Sequence, residues 1–88
     1  MTPLEMRAEA GRVDLRRGDD RIAFARDGVL PVALAAWLAD PRARLPHGWF
    51  SRDDGARLEM RAEDRRFDLH RAEVERLLRR LSEGDAGR

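Results

Sequence analysis

Leu4-Glu5-Met6-Arg7-Ala8-Glu9 and Leu58-Glu59-Met60-Arg61-Ala62-Glu63 are the same six residues written twice in one chain. The echo continues past them. Arg12, Asp14, Leu15 and Arg17 recur at the same offset as Arg66, Asp68, Leu69 and Arg71, and Val13 is matched by Phe67. Ten identities in the fourteen aligned positions of 4–17 and 58–71 are too many for chance and indicate a duplicated structural unit.

Within the unit the side chains alternate as they do on a half-buried strand. Leu4, Met6 and Ala8 fall on one face, with Glu5, Arg7 and Glu9 on the other. Val13 and Leu15 alternate in the same way against Arg12, Asp14 and Arg16. A two-residue turn at Ala10-Gly11, with Gly11 at positive φ, sets Glu9 opposite Arg12, Arg7 opposite Asp14 and Glu5 opposite Arg16. The second copy, turning at Asp64-Arg65, sets Glu63 opposite Arg66, Arg61 opposite Asp68 and Glu59 opposite His70. On this reading every outward pair in the first copy joins opposite charges, and such pairs contribute about 0.2–1 kcal/mol each.

The remaining segments carry weaker signals. Gly18-Asp19-Asp20 reads as a turn into a strand through Ile22 and Phe24, closed by Asp27-Gly28. A helix is expected to start near Pro31 and to stop before Asp40-Pro41. From Val29 to Ala39 it contains no polar side chain. A connector over 41–48 leads to a short strand around Trp49 and Phe50, and Asp53-Asp54-Gly55 turns the chain into the second repeat. The last element is an amphipathic helix over about 71–83, with Val74, Leu77, Leu78 and Leu81 facing inward, His70 or a neighbour as its cap and Gly84 as its stop. The expected fold is therefore α+β: two diverged βββα halves, with antiparallel meander sheets packed against two helices. It forms one domain over 1–83, and 84–88 is expected to be a flexible tail.

Composition narrows the function. The 88 residues carry 18 basic and 17 acidic side chains, a net charge of +1, and every basic residue other than the two histidines is an arginine. That balance gives no bulk attraction to a polyanion or an anionic membrane. With 42% hydrophobic residues the chain can fold, yet a core this small is thin and self-association would supplement it. No cysteine is available for a disulfide or a thiolate metal site, and two histidines without repeated spacing make no metal signature. No cofactor is expected. Met1-Thr2-Pro3 runs straight into a strand pattern, so no secretory signal is expected and the cytoplasm is the default location.

Two segments remain as candidate contact surfaces. Arg42, Arg44, His47, Trp49, Phe50 and Arg52 combine basic and aromatic side chains with no acid between Asp40 and Asp53. They can grip a partner protein or stack on nucleic acid, or one aromatic simply completes the core while the arginines point to water. Strand alternation allows only one of Trp49 and Phe50 to face inward. The second segment is the apolar helix: if the sheets cover only one side, Val32, Ala35, Ala36 and Ala39 form an exposed strip suited to a second helix. Catalysis has little support, because nothing sets Ser51, His47 and Asp53 or Asp54 in nucleophile, base and orienter geometry. The expected function is a non-enzymatic protein–protein interaction module, homodimeric, with a nucleic-acid-binding module as the alternative and an enzyme as a remote third.

Overall fold

Both copies of the repeat are β-hairpins. The structure, a computed structural model, describes residues 3–46, 48–62 and 64–86, with the backbone alone for 83–86. The described residues form β1 (Glu5–Ala8), β2 (Arg12–Arg17), β3 (Asp20–Ala25), α1 (Val29–Ala39), β4 (Phe50–Arg52), a 3₁₀ turn (Asp53–Gly55), β5 (Arg57–Ala62), β6 (Arg65–His70) and α2 (Arg71–Ala86). The strands make two antiparallel sheets, ordered β1-β2-β3 and β4-β5-β6. This is the α+β, βββα–βββα arrangement expected from the sequence. The repeat is the first hairpin of one half and the second hairpin of the other.

The first hairpin has the expected register, with Glu5 opposite Arg16, Met6 opposite Leu15, Arg7 opposite Asp14 and Ala8 opposite Val13. The Glu9 N–H donates to the Arg12 carbonyl at 2.8 Å and closes the loop. Gly11 does not adopt the left-handed conformation expected of it; Gly18 does, at φ 61, in the next loop. Gly18 is the first central residue of a two-residue turn between Arg17 and Asp20, the position where a type II′ turn requires it.

The second hairpin is shifted by two residues from expectation. Ala62 pairs with Arg65, Met60 with Phe67 and Leu58 with Leu69, and the expected Glu63–Arg66 pair falls on a residue outside the described ones. Glu59 thus lies opposite Asp68, and Arg61 opposite Arg66. The expected register would have set Leu58 against Arg71, the first residue of α2. The observed one adds a Leu–Leu pair to the core, and a two-residue shift leaves every side chain on its own face. The charges are compensated sideways instead: Arg52 on β4 holds Glu59 at 3.0 Å, and Arg57 reaches Asp68 at 3.6 Å.

Each helix start is fixed by a side chain. Asp27 Oδ1 accepts the N–H groups of Val29 at 3.0 Å and Leu30 at 3.2 Å, and caps α1 one turn before Pro31. Glu73 Oε1 accepts the His70 N–H at 2.9 Å, the return half of a capping box on α2. The α2 backbone passes Gly84 and continues to Ala86, so the glycine is no stop; near a helix end its cost of about 1 kcal/mol is tolerated. Of the expected tail, 84–86 are therefore helical, and 87–88 lie outside the described residues.

The core lies between the two sheets and the helices. Val13, Leu15 and Ile22 from one sheet and Leu58, Met60 and Leu69 from the other are buried with Leu34 and Trp37 of α1 and Val74 and Leu77 of α2. α2 lies across β1, β5 and β6 and against α1, and β3 runs beside β6. Arginines tie these layers together. The Arg17 guanidinium donates to the Asp68 carbonyl at 3.0 Å and to Glu73, and sits over the Phe67 ring. Arg26 donates to the carbonyls of Glu9 and Leu81, and Arg71 donates to that of Leu38 while stacking over Trp37.

The corner after β4 is left-handed throughout, with φ of 52, 54 and 91 at Asp53, Asp54 and Gly55. Aspartate tolerates this conformation better than most residues. At Gly55 no other residue fits, because an added Cβ would lie 2.7 Å from Pro41 Cγ. Gly55→Ala should therefore lower stability by about 1–3 kcal/mol, read as a reduced urea midpoint with unchanged slope.

Candidate functional site

α1 buries one face and leaves the opposite one bare. Leu30, Ala33, Leu34 and Trp37 point into the core. Their helical complement, Val29, Val32, Ala35 and Ala39, is exposed, with Ala36 half-buried among them. The exposure reaches 62% at Val29 and 68% at Val32. The four expected strip residues thus lie on one face. Val29 joins them, although a helix beginning at Pro31 would have left it out. Its spacing of three from Val32 is the signal that places it there.

The basic and aromatic segment is dispersed by the fold. Arg42 and Arg44 are exposed in the connector after α1, where Asp40 Oδ1 accepts the Arg42 N–H at 3.0 Å. Trp49 is buried, its Nε1–H donating to the Arg61 carbonyl at 3.2 Å and its ring meeting Phe24 edge-on at 5.8 Å. Phe50 faces outward, half exposed, with the Arg52 guanidinium 5.7 Å from its ring centroid and also engaged by Glu59. One aromatic faces in and one out, as alternation requires. His47 lies outside the described residues.

The polar groups near this segment are occupied structurally. Ser51 Oγ accepts the Trp37 Nε1–H at 3.0 Å, and Asp53 holds Arg57 at 2.6 Å. Among the described residues no group of three or more histidine, aspartate or glutamate side chains is placed to hold a metal ion. No helix among them is long and apolar enough to cross a membrane. Compared with known protein families, curated proteins and solved structures, the chain matches none.

One carboxyl is electrostatically displaced from its ordinary behaviour. Burial disfavours ionisation of Glu73, but the Arg17 hydrogen bond, the His70 N–H and the positive charge of Arg17 together outweigh it and hold its pKa below the usual value. A depressed folded-state pKa stabilises the fold fully above the unfolded glutamate value of about 4.3, and that contribution disappears as pH falls through the folded value. Glu73→Gln should cost about 1–3 kcal/mol at pH 7. The deficit relative to wild type should shrink steadily as urea midpoints are measured from pH 6 down to pH 2.5.

Proposed function

We propose that the protein is a non-enzymatic protein–protein interaction module that pairs with a second copy of itself through the outward face of α1, working in the cytoplasm. The observation that carries this reading is the bare stripe of Val29, Val32, Ala35, Ala36 and Ala39 on a helix without a polar side chain. Water contact with such a stripe is unfavourable by about 25 cal/mol per Å² of apolar surface, and only a partner can remove it. A second α1 is a suitable occupant. It is uncharged along its length, so two copies meet without like-charge repulsion, and its alanines allow the backbones to approach closely. In an antiparallel two-fold pairing the helix dipoles also oppose one another.

The stripe is short, about 16 Å for eleven residues. It covers only part of the roughly 800 Å² per partner typical of a standard interface. The dimer is therefore weak and concentration-dependent. A nucleic-acid-binding module built on residues 42–52 draws less support, because Trp49 lies in the core and Arg52 is engaged by Glu59.

Light scattering across a concentration series should show mass rising from monomer toward dimer. Val32→Glu and Ala36→Glu should hold the protein monomeric with little change in thermal midpoint. A strict monomer at millimolar concentration would remove the reading. So would loss of folding in Val32→Glu, since that would place the position in the interior.

A further inference from the structure

Where β3 runs beside β6, the two sheet edges leave a cleft of about 450 Å³ lined by Arg12, Arg21, Ile22, Ala23, Ala62 and Arg65. We propose that this cleft binds a phosphate group through the guanidinium groups of Arg12, Arg21 and Arg65. It stands apart from α1 and does not depend on self-association.

The charge arrangement around the cleft is the first support. Arg21 lies directly opposite Arg16 on β2, and Arg65 begins β6 opposite Ala62. Like charges set opposite one another destabilise a sheet unless something neutralises them. The acidic pair Glu59–Asp68 is neutralised by Arg52 and Arg57. The Arg16–Arg21 pair is compensated on one side only: Arg16 has Glu5 opposite it on β1, while among the described residues Arg21 and Arg65 form no ion pair. Arg12 Nε holds Asp14 at 3.0 Å, the arginine side chain half exposed and the carboxylate mostly covered, which leaves the terminal guanidinium nitrogens of Arg12 to meet a second anion.

Shape and chemistry supply the rest. No described residue lining the cleft is acidic. The cleft is concave, with Ala23 and Ala62 as apolar wall, and such a wall concentrates the field of the surrounding guanidinium groups. Guanidinium forks match the tetrahedral oxygens of phosphate and donate to two at once. Among the described residues the lining has no aromatic ring on which a base can stack, so recognition rests on the phosphate itself. Two sources present that chemistry, a free polyphosphate and a phosphodiester backbone.

Isothermal titration of the full chain at low salt, with sodium pyrophosphate in one arm and an oligothymidylate of about ten nucleotides in the other, tests the assignment and separates the sources. Saturable binding is expected in at least one arm. Pyrophosphate binding identifies a free polyphosphate ligand. Binding of the oligonucleotide alone, weakening linearly on a log scale with added salt, identifies a backbone. In either case Arg21→Gln/Arg65→Gln should weaken binding at least tenfold, and Arg42→Gln/Arg44→Gln should leave it unchanged. Near-ultraviolet circular dichroism from Trp37 and Trp49 should confirm that both double variants are folded. No saturable heat in either arm, or equal losses in the two double variants, would overturn the proposal.

Discussion

Neither small sheet in this molecule can hide its own inner face. A three-stranded sheet needs a covering layer to be stable in water, and an 88-residue chain is too short to supply two separate ones. The solution is one shared apolar centre. Leu15 and Ile22 come to it from the first half, and Met60 and Leu69 from the second, with α2 laid across strands of both. Arg17, Arg26 and Arg71 then reach between layers to backbone carbonyls that would otherwise face a thin, partly wetted boundary. Arginine suits this work because its stem packs as hydrocarbon while its head satisfies several acceptors at once.

The same shortage of covering material shapes the surface. Once α2 is committed to the sheets, its remaining contact with α1 covers only one side of that helix. The outward side of α1 is apolar because the whole helix is. On the sheets, register is chosen by the core, and the outward charges adjust to it. That ordering explains why the second hairpin accepts Glu59 opposite Asp68 and recruits Arg52 and Arg57 from the neighbouring strand and its own.

Much of the fold is legible in the chain because the repeat presents strand alternation twice and each helix carries a sustained helical pattern, although α1 starts before Pro31 and α2 passes Gly84. The succession of elements along the chain, the first hairpin's pairing and the inward face of the repeated apolar residues derive from period two and turn chemistry. The second register is not legible, because charge pairing and apolar pairing favour answers two residues apart. Charge alone sets Glu59 against His70, whereas the core gains from Leu58 meeting Leu69. Asp27 as the cap of α1 is likewise hidden behind Gly28 and Pro31. The strip on α1 can be read from its lack of polar residues. The cleft between β3 and β6 cannot, since it arises where the two sheets meet and no local pattern in either strand announces it.

The hexapeptide at residues 4–9 and 58–63 is an interchangeable part. One copy belongs to the edge strand β1 and the other to the central strand β5, yet nothing inside the six residues distinguishes them. Discrimination must come from residues outside it, among them Phe50–Arg52, which pair with the second copy, and Val13 against Phe67. During folding each copy is a decoy for the other's place, so the landscape carries a near-degenerate misassembly from the start. The divergence of the two halves reads accordingly as an address system: the differences, more than the shared residues, tell each ribbon where it belongs.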